Sequence, residues 1–503
     1  MKQFVLIITF LIPCISYAQI FPHLMSQRFI DNAGEDEAKR LLIAPDGNLL
    51  MGGITIAPDS LDNHCGNIWI VKADTTGDVI WDQEINMQGC EEIRDMVATE
   101  DGGVIFTGVT TTMMDHEEKG NRWFWGDFFV GKLDHTGAID WLKSYGGSDL
   151  DQANGIAKGH YGDFMVVGGT HSRDGHVSNN HGMSDIWIQR IDPDGESQFD
   201  LVVGGSKHDW ANSISVCQNG DFLIAGYTNS GDFTDQKAGL YGNGCIMRIT
   251  QSGYIVWKRT YACPKGGYFT DVSEDKDGTI MVVGTYQSET DLTADFWWMK
   301  LNSRGVMIQQ KVYSGPENEY LVSHARCENG YIMAGYSTAV SGTGFYSKGG
   351  DDFWLTRTDE QGNILWRKTY GGRHYERCAD VVEYRPGVYY ALGDKENRFT
   401  RSENHDKDFW LLKIQEFPED SMSAGIFVRA KNYRVNRDTP TRFRAECDYC
   451  ERFLWDFGDG TTSTERDPLK TYKLSGAYEV RLTIFVNEHC RETVTLQKEL
   501  EVW

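Results

Sequence analysis

Long apolar runs are scarce in this 503-residue sequence. One stands at the start, where Lys2 precedes an apolar run over residues 4–12 and the small residues Ser16 and Ala18 follow, which is the pattern of a secretory signal peptide. No later stretch approaches the roughly 18 to 20 apolar residues that a membrane-spanning helix requires. We therefore expect cleavage after Ala18, a mature chain that is secreted or held in the cell envelope (periplasm or cell surface), and no transmembrane segment.

Basic residues are too few and too scattered to form a stripe. The sequence has 49 Lys and Arg against 73 Asp and Glu, which gives a net charge of −24. A surface without a Lys/Arg stripe cannot displace counterions from phosphates, so nucleic acid is excluded as a partner. The acidic groups are spread along the chain, and this pattern favours solubility in an extracellular setting.

The motifs of common enzyme classes are also missing. The sequence contains no nucleophile elbow, phosphate loop, zinc-protease helix or dinucleotide fingerprint. We assign no catalytic residue from the sequence, and an enzyme is the less favoured interpretation.

Helical periodicity is absent, and a repeat of about 50 to 60 residues takes its place. Seven copies lie between residues 32 and 415. In each copy an acidic or amide residue leads a short, mostly aromatic strand, and these runs start at Asn67, Asp127, Asp185, Asn243, Asp295, Asp352 and Asp408. An upstream strand is predicted to end at a glycine, namely Gly53, Gly108, Gly168, Gly226, Gly284, Gly335 or Gly393. In most copies a downstream strand carries Trp or a substitute, and with the strand that opens each copy this makes four antiparallel strands per unit.

Four short antiparallel strands per repeat predict a propeller blade, because stacked blades cover one another's faces in a ring. The sequence therefore predicts an all-β fold with a seven-bladed β-propeller over residues 19–416. The seventh copy lacks a fourth strand near Ile414, and the N-terminal segment 25–30 matches the missing piece. We expect this segment to complete the last blade and close the ring.

After a polar linker at 417–424 the period breaks. Residues 453–463 read Phe-Leu-Trp-Asp-Phe-Gly-Asp-Gly-Thr-Thr-Ser, and the alternating residues Tyr478, Val480, Leu482 and Ile484 indicate a half-buried strand. With Thr471-Tyr472, these motifs closely resemble the PKD domain, a small immunoglobulin-like β-sandwich. The resemblance covers most of residues 425–503, which we assign to this domain. It departs from the family at Lys470, where a His is usual.

The ring resembles the repetitive propellers that accompany PKD domains in secreted Bacteroidetes proteins. Its Asp-x-x-Gly-x-x-x-Trp turns, as at 74–81, also resemble the tryptophan-docking motifs of quinoprotein propellers. That second family implies a quinone cofactor, but its adjacent paired cysteines and its eight blades are missing here. We therefore interpret these Trp residues as packing between blades and assign no cofactor.

The longest loops should emerge together on one end of the ring. We call this end the long-loop face. It carries two kinds of loop: those between the second and third strands of each blade, and those that join consecutive blades. The other end, with short hairpins, is the tight-turn face. Binding residues concentrate on long loops held by a rigid frame. Candidate binding residues here are Trp123, Trp125, His171, His176, His181, Trp210, Phe233, Tyr241, Phe345 and Tyr346; the alternative is that these aromatics merely pin their own loops.

Three other patterns in the sequence contain residue types that bind metals or act in catalysis. The five-residue spacing of His171, His176 and His181 would suit a metal only if the loop gathered them, and no metal is assigned. Acids that open successive blades (Glu37, Glu92, Asp151, Asp209, Glu319 and Glu376) would ring the channel, either as paired carboxylates or as acceptors for their own turns. Calcium remains an option at the Asp-x-Asp-Gly turns 192–195 and 275–278, although neither continues as a full calcium loop. Cys65 and Cys90 lie in loops that would permit a disulfide.

Three functions fit the sequence. The favoured one is a secreted or envelope binding or adhesion protein, whose long-loop face binds a glycan or protein partner and whose PKD domain is a spacer or interaction module. The alternatives are an extracellular polysaccharide-acting glycosidase or lyase, supported by fold analogy alone, and a structural subunit of an envelope assembly. The sequence does not indicate an oligomeric state.

Overall fold

The computed structural model describes most of the chain. The described residues are 20–32, 34–56, 66–87, 89–112, 126–233, 242–287, 293–315, 318–338, 350–372, 374–397, 406–418, 425–428, 434–446, 452–485, 491–495 and 500–503. The chain divides into two compact units, Leu24–Gln415 and Glu416–Trp503, the second together with the described residues up to His23.

The first unit consists of seven four-stranded antiparallel sheets. Strand β1 (Ile20–Ile30) precedes the first complete blade. In chain order the strands of blades 1 to 4 are β2 (Glu35–Ile43), β3 (Leu49–Ile56), β4 (Asn67–Ala73), β5 (Val79–Ile85); β6 (Gly89–Ala98), β7 (Val104–Thr112), β8 (Asp127–Leu133), β9 (Ile139–Tyr145); β10 (Asp151–Lys158), β11 (Phe164–Thr170), β12 (Asp185–Ile191), β13 (Ser197–Val203); and β14 (Asp209–Val216), β15 (Phe222–Thr228), β16 (Asn243–Ile249), β17 (Ile255–Tyr261).

Blades 5 to 7 follow the same plan, and the last one takes a strand from the N-terminus. Their strands are β18 (Gly267–Glu274), β19 (Ile280–Gln287), β20 (Ala294–Leu301), β21 (Met307–Tyr313); β22 (Glu319–Cys327), β23 (Gly330–Ser337), β24 (Asp352–Thr358), β25 (Ile364–Tyr370); and β26 (Glu376–Arg385), β27 (Val388–Asn397), β28 (Asp406–Pro418). The strand order of the last sheet is β1-β28-β27-β26. Strands β2 and β26 are in contact, and the Leu41 N–H of blade 1 donates to Asp380 of blade 7 at 2.9 Å. The seven blades therefore form a closed β-propeller.

The Asp-Phe-Trp pattern of the third strands builds the core between blades. The residue after the acid packs on the aromatic residue of the next blade: Phe128 on Trp187, Phe296 on Trp354, Phe353 on Trp410 and Phe409 on Trp69, with ring centroids 4.2 to 4.8 Å apart. All of these rings are buried. Aromatic pairs at this separation contribute about 0.5–1.5 kcal/mol beyond the area they bury. The repeated pattern thus produces the same aromatic contact at these four blade interfaces.

Tryptophans of the fourth strands join neighbouring blades near the tight-turn face. The indole N–H groups of Trp81, Trp141 and Trp257 donate to the carbonyls of His135, Pro193 and Ser303 in the following blade, at 3.1 to 3.2 Å. Each indole also covers a turn glycine of that blade. A Cβ on Gly137 would lie 2.7 Å from the Trp81 ring, and this glycine has a φ of 87°. Both the ring contact and the turn therefore require glycine there.

The repeat glycines lie inside their strands, which corrects the expectation that they end them. Strand β11 continues past Gly168 to Thr170. Opposite this glycine, strand β10 has a β-bulge between Ala153 and Gly155, and bulges occur at the equivalent place in the first strand of all seven blades. The bulge turns the Gln152 carbonyl toward Gly168, where a Cβ would lie only 1.9 Å from the oxygen. The glycine is required by this close approach.

The described residues of the second unit form ten short strands in three sheets. They are β29 (Gly425–Val428), β30 (Arg434–Val435), β31 (Thr441–Glu446), β32 (Arg452–Asp456), β33 (Thr462–Ser463), β34 (Leu469–Lys470), β35 (Gly476–Tyr478), β36 (Arg481–Phe485), β37 (Arg491–Thr495) and β38 (Leu500–Val502). The predicted strand through Tyr478 and Ile484 is broken between β35 and β36. Trp455 is fully buried and donates from Nε1 to the Glu465 carbonyl at 2.9 Å, so it anchors this small core.

Cysteines have two states in the described chain. Cys90 is disulfide-bonded, while its predicted partner Cys65 lies outside the described residues. Five others, Cys217, Cys245, Cys263, Cys327 and Cys378, are free and buried. Burial raises the pKa of the Cys217 thiol to about 12, so these side chains act as small hydrophobic groups. Within the described ranges, no helix is long and apolar enough to cross a membrane.

Candidate functional site

The first strand of each blade surrounds the axis of the ring, because these strands contact their counterparts in both neighbouring blades. Each first strand has one position that lies two residues before the unpaired residue of the bulge, near the long-loop face. In the second strand, its partner is the residue that directly follows the repeat glycine. This set, the mouth ring, consists of Glu37, Glu92, Gln152, Trp210, Tyr268, Tyr320 and Arg377. Every member is half-buried or exposed, and the residues on either side of it in the strand are more buried than it is. The mouth ring therefore lines the channel entrance on the long-loop face.

Blades 4 to 6 make one half of this entrance aromatic. Trp210, Tyr268 and Tyr320 occupy the ring position in three consecutive blades, and Tyr227 and Tyr336 are their partners in the second strands of blades 4 and 6. The rings of Tyr320 and Tyr336 lie 5.1 Å apart, and Tyr268 is 36 % exposed. We call these five residues the aromatic arc.

Trp210 is held in place by the neighbouring blade. Its ring lies over Gly169, where a Cβ would approach it to 2.3 Å, and its Nε1–H donates to Ser184 Oγ at 2.8 Å. The same hydroxyl lies 2.9 Å from His208 Nδ1. His171 packs beside both rings, with centroids 5.6 Å from Trp210 and 6.1 Å from His208. This end of the arc is thus rigid and combines an indole with two imidazoles.

Blades 7, 1 and 2 make the other half of the entrance charged. Lys407 bridges Glu35 and Glu37 at 2.7 and 2.8 Å, and Lys39 bridges Glu37 and Glu92 at 3.3 and 3.1 Å. Burial alone would raise the pKa of Glu37, but Lys39 and Lys407 overcome it and lower that pKa to about 2. Glu37 is therefore a paired anion at neutral pH.

One carboxyl at this charged half behaves differently. Asp394 is the strand partner of Arg377 and is 8 % exposed. Burial raises its pKa to about 7, and the charge on Glu37 adds to the rise, while Lys407 and Lys39 oppose it. The entrance thus holds two neighbouring carboxyls whose pKa values are pushed apart, an arrangement that also occurs in acid–base catalysis.

Deeper in the channel, a polar belt ties blades together. It contains Arg40, Asp95, Asp271 and Asp380, each directly after the bulge of its strand. Arg40 Nε lies 2.7 Å from Asp95, and its Nη1 lies 3.5 Å from Asp380. Asp95 accepts the Ile156 N–H of blade 3 at 2.9 Å. Because its carboxylates accept backbone N–H groups from neighbouring blades, we interpret this belt as structural.

The predicted binding residues are dispersed. His171 joins the Trp210 cluster, His176 packs on Tyr145 with centroids 6.0 Å apart, and His181 lies 3.1 Å from Asp185. The loop does not gather the three imidazoles around one point. Phe233 is 1 % exposed and packs in the core beneath Lys258, so it pins its loop. The remaining candidates, Trp123, Trp125, Tyr241, Phe345 and Tyr346, lie outside the described residues.

The acids that open successive blades need a correction in two blades. Asp151, Asp209, Glu319 and Glu376 each accept a glycine N–H from the preceding turn, at 2.7 to 3.0 Å. In blades 1 and 2 this role belongs to Asp36 and Glu91, which accept from Asn32 and Gly89. Glu37 and Glu92 are one residue further and point into the channel mouth, because successive strand residues face opposite sides.

Carboxyls also meet in pairs where blades join. The acid that begins the third strand of one blade lies near the acid that opens the next: Asp151 raises the pKa of Asp127, and Asp209 raises that of Asp185, in each case after burial as the larger cause. A histidine accompanies each pair, since His176 opposes the rise at Asp127 and His181 contacts Asp185. Asp151, Asp185 and Asp209 are buried and Asp127 is half-buried, and both pairs belong to the blade interfaces.

The carboxyl pairs predict a pH dependence of stability. Burial raises the folded-state pKa of Asp127, Asp151 and Asp185, so between about pH 4 and those raised values the folded chain binds more protons than the unfolded chain. Stability should therefore fall as the pH rises through this window. In thermal unfolding from pH 4 to 8, Asp185→Asn should flatten the decline, while the exposed turn variant Asp194→Asn should follow wild type. Identical slopes for both variants would contradict the interpretation.

A second concave feature is a cleft on the tight-turn face. Its volume is about 460 Å³, and it lies between blades 1 and 2, lined by Asp46, Lys72, Trp81 and Asp101 among others. Lys72 is already bound to Asp46 at 2.7 Å and to the Gly102 carbonyl at 3.3 Å, and the Trp81 N–H is taken by His135. Because its polar groups serve the blade contact, we favour the channel mouth as the site.

Comparison with known protein families identifies the second unit. Residues 430–500 match the family model described as PKD domain. The second unit is a PKD domain. In it, Lys470 replaces the usual His and lies 2.6 Å from Asp459 of the Gly-Asp-Gly turn, with its Nζ 5.1 Å from the Tyr472 ring centroid. Lys470 therefore places a cation against the aromatic core of this PKD domain.

No curated protein matches the chain at a significant level. Solved structures with a similar fold include hydrazine synthase of Kuenenia stuttgartiensis, at 13% identity and a TM-score of 0.45, covering 76% of this chain and 96% of that one. A protein of unknown function from Dyadobacter fermentans has 9% identity and a TM-score of 0.44, covering 78% and 99%. The extracellular domain of the putative hybrid two component system BT4673 from B. thetaiotaomicron has 10% identity and a TM-score of 0.43, covering 96% and 60%. At these TM-scores neither activity nor partner is transferred to this chain.

Proposed function

We propose that this is a secreted or cell-envelope binding protein that holds a glycan or protein partner at the channel mouth of its propeller, with the PKD domain as a spacer or second interaction module. The observation that carries the proposal is the aromatic arc. Three consecutive blades present an aromatic residue at one strand position, and Tyr268 is partly exposed at its centre. Exposed aromatic faces attract flat apolar surfaces such as one face of a sugar ring or a partner side chain.

The rest of the mouth ring supplies polar recognition. Gln152 on one side and Arg377 on the other offer hydrogen-bond donors beside the aromatic residues. Arg377 lies 5.1 Å from the Tyr336 ring centroid and 2.5 Å from Asp351, so its planar group is fixed in direction. A few oriented polar groups around an apolar surface are typical of ligand sites. We favour a glycan as the ligand, because a sugar makes apolar contacts and hydrogen bonds at the same time.

The arc predicts a specific effect on affinity. Tyr268→Ala should weaken binding of a glycan found on an array by about tenfold or more, which corresponds to about 1.4 kcal/mol, because the stacking surface is lost. Tyr268→Phe keeps the ring and should bind within a few-fold of wild type. Titration of the purified mature protein, residues 19–503, with that glycan measures both. Equal affinity for the alanine variant would exclude the arc as the contact surface.

An enzyme that acts on polysaccharide is the second candidate, and one observation favours it. Asp394, with its raised pKa, adjoins the ionised Glu37 at the same entrance, as a proton donor and its companion carboxylate would. The polysaccharide screen should therefore include product detection. Release of products that Asp394→Asn abolishes, with binding retained, would establish the enzyme and displace the binding proposal. Binding without products supports the binding protein, and no response to any glycan directs the search to a protein partner.

A further inference from the structure

Three carboxylates meet where the N-terminal strand enters the first blade. Asp31 follows β1, Asp36 lies in β2 and Asp408 lies in β28, and one oxygen of each lies within 4.8 Å of the others. Within the described ranges this is the one group of three or more metal-capable side chains at such distances. The cluster joins blades 7 and 1, where the ring closes.

Asp36 gives an independent sign of a missing partner. Its side chain is 0 % exposed. Oδ2 accepts the Asn32 N–H at 2.8 Å and the neighbouring Thr55 hydroxyl opposes the rise in the pKa of Asp36, but Oδ1 is buried and accepts no hydrogen bond of ordinary geometry from the described residues. A buried carboxylate oxygen without a partner is costly. A cation between the three carboxylates would satisfy it.

Three other blade interfaces have a basic group beside their acidic residues. The carboxyl pair of blades 2 and 3 has His176 beside it, that of blades 3 and 4 has His181 at 3.1 Å, and Glu376 between blades 6 and 7 has Lys395 at 3.4 Å. At the interface of blades 7 and 1, a third carboxylate, Asp31, adjoins the Asp408/Asp36 pair. Asp31 and Asp408 both push the pKa of Asp36 upward, after burial as the main cause. The interface of blades 7 and 1 thus carries one carboxylate more than these three interfaces, and Lys407 at that interface is bound to Glu35 and Glu37.

We propose that Asp31, Asp36 and Asp408 bind a calcium ion that fastens the closure of the propeller. Carboxylate oxygens are the ligands calcium prefers, and its six to eight coordination positions are readily completed by backbone carbonyls and water. Magnesium demands a stricter octahedral arrangement and gives up its water less easily. Extracellular calcium modules typically bind with dissociation constants of about 10⁻⁴ to 10⁻³ M, and we expect that range. Since Asp31 directly follows β1, the ion would hold the closing strand to the two blades it connects.

The test uses the mature protein and calcium alone, so it does not depend on any glycan or protein ligand. Calorimetric titration with CaCl₂ after EGTA treatment and dialysis should show one binding site, and thermal unfolding should shift upward as calcium is added. Asp31→Asn should weaken binding at least tenfold and remove the shift. Asp31 is exposed, so the variant should still fold. Asp78→Asn removes an exposed carboxylate elsewhere in blade 1 and should behave as wild type.

Several results would overturn the proposal. They are the absence of calcium binding in the wild-type protein, an equal response in Asp31→Asn, and equal stabilisation by MgCl₂. If Asp31→Asn unfolds, the Asp408→Asn and Asp31→Ser variants provide the same comparison. A calcium response in the wild type that only the cluster variants lose supports the site.

Discussion

Gly168→Ala is expected to lower the free energy of unfolding of the propeller by about 3 kcal/mol or more, within the range that overpacking and backbone displacement produce. A methyl group on Gly168 would lie 1.9 Å from the Gln152 carbonyl oxygen, and that atom belongs to backbone held by the β-bulge of β10. Neither strand can move without disturbing the sheet. Denaturant unfolding followed by tryptophan fluorescence measures the change.

Gly231→Ala is the matched control for this substitution. Gly231 lies after β15, in the loop between the second and third strands of blade 4. A Cβ there meets nothing within 4 Å, and the φ of Gly231 is outside the left-handed region. Its stability should stay within about 0.5 kcal/mol of wild type. The same cost is expected at Gly226 and Gly335, because their Cβ positions also lie 1.9 Å from a carbonyl oxygen. A mild effect at all three repeat glycines would show that the bulge does not impose them.

Removal of residues 20–30 should destabilise the protein even more. Without β1 the last sheet loses one of its four strands, Trp410 loses the hydrogen bond from its Nε1–H to Gln27 at 3.0 Å, and the buried Ile30 is gone. We expect the unfolding temperature to fall by roughly 10 °C or more, on the scale of several kcal/mol for a domain of this kind, or the protein to become insoluble because an edge strand is uncovered.

A peptide supplies the control for the truncation. Adding residues 20–32 in trans should restore part of the lost stability, since the strand would pair again with β28, whereas a scrambled peptide of the same composition should have no effect. Unchanged stability of the truncated protein would contradict closure by the N-terminal strand.

The sequence alone was sufficient for the fold class. The seven-fold repeat predicted a propeller, and the Trp-Asp-Phe-Gly-Asp-Gly motif predicted the PKD domain; both predictions are confirmed. The reason is that each depends on a pattern repeated or combined along the chain, so one irregular copy such as Asn243-Gly244-Cys245 does not obscure it.

The candidate site was harder to predict, because it depends on register to a single residue. Glu37 and Glu92 were grouped with acids such as Asp151, although a shift of one position places them on the other side of the strand. The aromatic arc was missed for the same reason, apart from Trp210. Aligning the first strands on their bulges would have shown aromatic residues at one position in three consecutive blades.

The spacing of the three histidines was uninformative for a different reason. Outside helices and strands no fixed period relates sequence separation to direction. His171, His176 and His181 accordingly reach three separate environments: a Trp cluster, a tyrosine and a buried aspartate.

The central claim is that binding takes place at the channel mouth. Hydroxyl-radical footprinting of the protein, with and without the glycan that gives the highest array signal, tests it directly. We expect protection of Tyr268 and Trp210 and no change at Tyr161 and Tyr254. Tyr161 and Tyr254 are highly exposed and lie in hairpin turns on the tight-turn face, at the other end of the ring from the channel mouth. Protection of Tyr161 and Tyr254 with an unchanged channel mouth would contradict the account.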